Sequence, residues 1–175
     1  MQKRVAVIVA NGSEEIEAIT PIDVLRRTGA VVDVISVNEL VVTCSHDIKV
    51  QAEMLASDFN VDNYDGIVIP GGMPGATNIA SSKPIVDGLK SALEKGKVVG
   101  AICASPAVVL ANNGLLDGVK ATCYPAPDFI KMMDTAVYTG ESVTVDKNIV
   151  TANGPRSALE FSLSVCKLLG LTPKF

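Results

Sequence analysis

Charge is scarce in this chain. Only 19% of the 175 residues are charged, against 48% hydrophobic, and a net charge of −4 leaves no run of lysines and arginines. A phosphate backbone is bound by a basic surface, so nucleic acid is not expected as a partner. The hydrophobic content excludes a disordered chain. No apolar stretch approaches the roughly 18 residues that cross a bilayer, so no membrane partner is expected either. The start, Met1-Gln2-Lys3-Arg4-Val5, lacks the layout of a secretory signal. Four cysteines, at 44, 103, 123 and 166, show no Cys-x-x-Cys spacing. A metal site is therefore unsupported, and reduced thiols in the cytoplasm are the expectation. A Gly-x-Gly-x-x-Gly fingerprint is missing, and three glutamates crowd the loop after the first apolar run, where they would repel a phosphate. No nucleotide cofactor, and no other cofactor, is expected. Repeats, linkers and low-complexity segments are missing too, which at this length points to one domain over residues 1–175.

What is present is an alternation of strand and helix patterns. Val5 to Ala10 is continuously apolar, as a parallel strand buried on both faces should be. A helix is expected from about Glu14 to Thr28, closed by Gly29, then a strand from Val31 to Val37. Val41 to Cys44 and Ile48 to Val50 flank the polar turn Ser45-His46-Asp47 and suggest a hairpin. Ile67 to Ile69 reads as a third core strand ending in Pro70-Gly71-Gly72. Helices follow at Pro74 to Ala80 and Pro84 to Glu94, then a strand at Lys97 to Ile102. Lys120 to Thr122 is a further strand candidate, Ser142 to Val145 and Asn148 to Thr151 bracket a tight turn, and Pro155 opens a last helix. This order predicts an α/β fold: a flavodoxin-like sandwich, a mostly parallel sheet with helices on both faces. In such sheets ligands bind at the carboxyl ends of the strands. Three loops meet that condition: Asn11 to Glu17, Pro70 to Gly75, and Cys103 to Pro106.

Each loop offers chemistry. Cys103 falls between a buried strand and a helix, the layout of a nucleophile elbow. Ser105 suits an N-cap and Pro106 the first helical position. Free N–H groups and the helix dipole favour a thiolate there, so a thiol acidity near pH 5.5 is expected. A small hydrophobe ending a core strand is the plainer alternative. In the first loop, Glu14 and Glu15 read as solvent-side partners of the helix dipole. Glu17 differs: Pro21, four residues on, has no N–H for its carbonyl, so a distorted turn is expected to aim this carboxyl inward. The second loop has three glycines in five residues, whose bare N–H groups, with that of Ala104, suit a developing oxyanion. Cys166 reads as core, Cys123 is ambiguous, and Cys44 reads as exposed or near a subunit contact. Arg156 reads as a solvated residue at a helix start.

Together, Ser13-Glu14-Glu15-Ile16-Glu17, Pro70-Gly71-Gly72, Ala101-Ile102-Cys103-Ala104-Ser105-Pro106, Asn153-Gly154-Pro155 and Glu160-Phe161 resemble the DJ-1/ThiJ/PfpI superfamily. The likeness is greatest to the branch of the parkinsonism-associated deglycase and the YajL-type proteins. It implies a homodimer, with Cys103 as the reactive cysteine, Glu17 as a protonated carboxyl bonded to its sulfur, and Gly72 and Ala104 as backbone donors. Where many members place a histidine, this chain has Tyr124, a poor base at neutral pH. The one histidine, His46, stands where close relatives carry a hairpin arginine and reads as a polar turn residue. No histidine follows Cys103, so a Cys–His peptidase or glutamine amidotransferase is excluded. The resemblance implies a cysteine-dependent, glutathione-independent glyoxalase, or a protein or nucleotide deglycase. Its partners would be small reactive carbonyl compounds such as methylglyoxal, or glycated protein or nucleotide. The competing expectation is an oxidative-stress sensor and redox-regulated chaperone using the same cysteine.

Overall fold

A computed structural model describes residues 1–175. In chain order the regular elements are β1 (Arg4–Val9), α1 (Glu15–Arg26), β2 (Val31–Ser36), β3 (Val41–Thr43), β4 (Lys49–Gln51), β5 (Met54–Leu55), β6 (Gly66–Ile69), α2 (Gly75–Ala80), α3 (Lys83–Glu94), β7 (Val98–Ile102), β8 (Lys120–Ala121), α4 (Pro127–Met132), β9 (Val137–Tyr138), β10 (Val143–Asp146), β11 (Ile149–Ala152) and α5 (Ala158–Leu168). A seven-stranded sheet runs in the order β10-β11-β7-β6-β1-β2-β5. Every pairing in it is parallel except β10 with β11. The flavodoxin-like α/β sandwich is thus the observed architecture.

The continuous apolar run of β1 serves two cores. Side chains alternate across a strand. Val5, Val7 and Val9 therefore join Ala18, Ile22 and Leu25 of α1 and Phe161 and Val165 of α5. Ala6, Ile8 and Ala10 join Ile79 of α2, Ile85 and Leu89 of α3, and Val109 and Leu110. Gly100 in β7 lets α5 lie close, because a Cβ there would stand 2.9 Å from the Phe161 ring. The chain leaves β1 for β2 on one side and reaches β6 on the other, so the strand order reverses between β1 and β6. That switch point opens a crevice at the carboxyl ends of the strands.

Several local expectations are corrected. The helix α1 runs through Pro21 without a break. The strand at Lys120 lies outside the main sheet, paired with β9. Neither β5, β9 nor α4 was visible in the pattern, being two to six residues long. Cys44 is buried in the same core as Cys166, and Cys123 is buried in the core on the other face of the sheet.

Candidate active site

Cys103 carries the strained backbone of the molecule. Three non-glycine residues have positive φ, and two of them, Asp47 and Lys147, sit in hairpin turns. Cys103, at φ 64°, instead joins β7 to a helical segment. Such strain persists only where surrounding contacts over-determine it. Here the Cys103 N–H donates to Ala152 O at 2.8 Å, and the Tyr124 N–H donates to Cys103 O at 2.8 Å. The segment after it is a π-helical stretch, Pro106–Leu110, followed by a 3-10 turn, Ala111–Asn113. Ser105 does not cap it. Its backbone is already helical, and its hydroxyl donates to Pro70 O, tying the elbow to the glycine loop.

Glu17 lies on the buried face of α1, fully enclosed. Its inward aim follows from that face and not from a distorted turn. The Gly71 N–H donates to Glu17 Oε1 at 3.0 Å, while the enclosed Oε2 has no hydrogen-bond partner of ordinary geometry. The other polar neighbour of this carboxyl is the Cys103 thiol. Gly71 makes the approach possible: a Cβ there would stand 2.6 Å from Cys103 Cβ and 2.8 Å from Glu17 Oε1. The backbone N–H groups of Gly72 and Ala104 lie beside the sulfur and favour its charged form.

The acidities correct one expectation. Burial, then the charge of Glu17 and its hydrogen bond to the thiol, push Cys103 up to about 12, against the pull of the Gly72 and Ala104 N–H groups. A freely acidic thiol near 5.5 is therefore not what these surroundings make. Glu17 is itself pushed up to about 7, by burial and then by the charge of Glu14. An enclosed carboxylate with an unsatisfied oxygen is costly, so the proton is retained. With Glu17 neutral, the charge opposing a thiolate is gone and the acid can donate to sulfur. Between about pH 7 and about pH 12 the pair holds one charge and one proton. The thiolate is one of its two tautomers.

Glu14 and Glu15 are buried, which corrects their solvent-side assignment. Glu14 is the N-cap of α1, and its Oε2 accepts the Glu17 N–H at 3.0 Å. Glu15 clasps the β3–β4 hairpin. It accepts from the Ser45 hydroxyl at 3.0 Å and from the His46 N–H at 2.7 Å, and lies 3.1 Å from His46 Nδ1. Burial opposes its charge, yet bonds from its own N–H, from His46 and from Ser45 hold it down at about 2. Glu14, Glu15 and His46 present metal-type ligand atoms within 4.8 Å of one another, but those of Glu15 are already spent on the hairpin. Only the long-range contact reveals this clasp; Glu15 and Ser45 are thirty residues apart.

Tyr124 meets the elbow through its backbone. Its ring, 44% exposed, packs edge-on against Phe129, and its hydroxyl bonds nothing in the chain. A cleft of about 310 Å³ opens beside it, lined by Pro125, Asn153, Gly154, Pro155 and Arg156. A larger depression, about 750 Å³, surrounds Asp117, Asp128 and Asp134 and reaches neither Cys103 nor Glu17.

With this geometry in place, the model of the DJ-1/PfpI family matches residues 3–168. The chain belongs to the DJ-1/PfpI family. Among curated relatives, protein DJ-1 homolog B of Arabidopsis thaliana is 44% identical over 163 residues, 93% of this chain and 37% of that protein. The chain thus spans well under half of that relative's length. A glutathione-independent glyoxalase of Caenorhabditis elegans is 33% identical, covering 90% of this chain and 83% of the relative. Among solved structures, oxidized DJ-1 of Toxoplasma gondii is similar at TM-score 0.88 and 45% identity, over 95% of this chain and 90% of that one. No helix here is long and apolar enough to cross a membrane.

Proposed function

We propose that this chain is a cysteine-dependent, glutathione-independent glyoxalase or deglycase of the parkinsonism-associated and YajL-type branch, acting on methylglyoxal-type dicarbonyls and their early adducts. The observation that carries the reading is the enclosed Glu17 carboxyl, pushed up to about 7 beside Cys103. A general acid and base works best with an acidity near the operating pH. The Cys103 sulfur adds to the aldehyde carbon of methylglyoxal, the carbonyl π bond breaks, and the oxygen takes a proton, giving a hemithioacetal. Glu17 removes the proton from that carbon and returns it to the neighbouring carbon, while the hydroxyl proton passes to the former ketone oxygen. The hemithioacetal becomes a thioester, which water cleaves to lactate and the free thiol. The N–H groups of Gly72 and Ala104 lie beside the sulfur, where charge develops. Tyr124 frames the entrance and transfers no proton.

Sensing of oxidants through Cys103 is the second reading. It is favoured by the oxidized state of the Toxoplasma relative and by Glu17 Oε2, a buried atom free to donate to a sulfinate oxygen. Residues 1–175 act in this proposal as one cytoplasmic domain that pairs with a second copy. Exposed Ile16 and Ile19 on α1 and Leu159 and Leu163 on α5 offer an apolar face for that contact. The deciding experiment measures lactate formed from methylglyoxal, because loss of free dicarbonyl also reports scavenging by buffer. Turnover that disappears in Cys103→Ala supports the enzyme. Lactate formation equal in wild type and Cys103→Ala rejects it and leaves the sensor.

A further inference from the structure

The cleft beside the elbow has a chemical character that the dicarbonyl chemistry does not require. Its lining contains one cation, Arg156, and no carboxylate. Arg156 makes no salt bridge, although eight others form on this chain. The neutral groups around it are donors as well. Asn153 Oδ1 already accepts the Ser157 hydroxyl at 2.8 Å, which leaves its amide N–H₂ for a ligand. The Tyr124 hydroxyl bonds no other group of the chain, and its ring lies against Gly154, where a Cβ would stand 3.6 Å away. Backbone hydrogen bonds tie two segments of the cleft wall to the elbow. The Cys103 N–H is bonded to Ala152 O, the residue before Asn153, and Cys103 O accepts from Tyr124 N–H.

We infer that the Tyr124–Asn153–Arg156 cleft binds the carboxylate of small anionic carbonyl compounds and presents their carbonyl carbon to Cys103. Arg156 is its specificity-determining residue. A planar guanidinium matches a carboxylate in a two-bond fork. One cation balances one negative charge, which suits a monocarboxylate better than a phosphate dianion on a chain of net charge −4. About 310 Å³ is at the small end of ligand pockets and admits a compound of a few carbons.

This inference rests on Cys103 being a nucleophile, so the test separates the two claims. Iodoacetate and iodoacetamide both alkylate a thiol, forming a sulfur–carbon bond and releasing iodide, but only iodoacetate carries a carboxylate. Rate constants for Cys103 are measured with each by mass spectrometry. Arg156→Gln should lower the ratio of the iodoacetate to the iodoacetamide rate constant by at least about tenfold, the loss of one charge-assisted hydrogen bond. Arg156→Lys should fall between, keeping the charge without the fork. An unchanged ratio in Arg156→Gln overturns the inference and returns Arg156 to a solvated residue. If iodoacetamide itself leaves Cys103 unmodified in the wild type, the nucleophile reading fails instead. The cleft is then judged by titrating Cys103→Ser with pyruvate and following amide resonances. Saturable shifts at Gly154 and Arg156 that vanish in Arg156→Gln support the carboxylate site, and no shift rejects it.

Discussion

Replacing Glu17 by glutamine tests the central electrostatic claim through stability alone. Glutamine keeps the shape and the Oε1 acceptor for the Gly71 N–H, and removes the titration. In the unfolded chain the carboxyl titrates near 4.5, whereas in the fold it is pushed up to about 7. Between those values the folded state binds more protons than the unfolded state, so wild-type stability falls as pH rises. Below about 4.5 both forms are neutral there and the penalty is absent; above about 7 it is complete. A shift of that size corresponds to about 3 kcal/mol, a large part of the roughly 5–15 kcal/mol that holds a typical domain together. Urea unfolding of wild type and Glu17→Gln at steps from pH 4.5 to 8 reads it directly. The variant should gain on the wild type by about 3 kcal/mol across that window. Groups that do not touch Glu17 titrate alike in both proteins and cancel, and making the comparison in the Cys103→Ala background removes the coupled thiol. A difference that stays flat with pH would mean that Glu17 ionises normally, and the buried acid proposed as the proton carrier would be lost with it.

Three more outcomes are expected. Iodoacetamide should label Cys103 in the folded protein while the enclosed Cys44, Cys123 and Cys166 resist; equal labelling of all four by peptide mapping would contradict this. Glu17→Ala should lower lactate formation by at least about 10²-fold and Tyr124→Phe by less than about 10-fold, and the reverse order would exchange their roles. Glu15, held at about 2, stabilises the fold above about 4.5 and loses that contribution as pH falls toward about 2; acid unfolding of Glu15→Gln followed by circular dichroism should therefore show a weaker pH dependence than the wild type over that window.

Much of the site was legible because local chemistry marks it. Cys103 stands at a strand-to-helix break, and the glycines at 71 and 72 signal a turn at a strand end. Three such loops converge in any sheet of this order. Other features are set by partners distant in the chain. Glu14 and Glu15 look like dipole partners of their own helix, but the partners of Glu15 come from a hairpin some thirty residues on. Ser105 has the right type for a cap, yet a longer-range acceptor, Pro70 O, takes its hydroxyl. The short β5 and β9 carry too few residues to show any period.

By itself the amino-acid order determined the sandwich: an apolar run such as Val5 to Ala10 can only be buried on both faces, and strands alternating with helices close into a parallel sheet. It also determined which three loops meet. Tertiary structure decided what the site is chemically. The enclosure of Glu17 and the charge of Glu14 nearby raise that carboxyl, against the pull of its single N–H donor from Gly71, and its place beside Cys103 couples it to the thiol. These are desolvation and Coulomb effects set by groups distant in the chain, and they leave no mark on local periodicity.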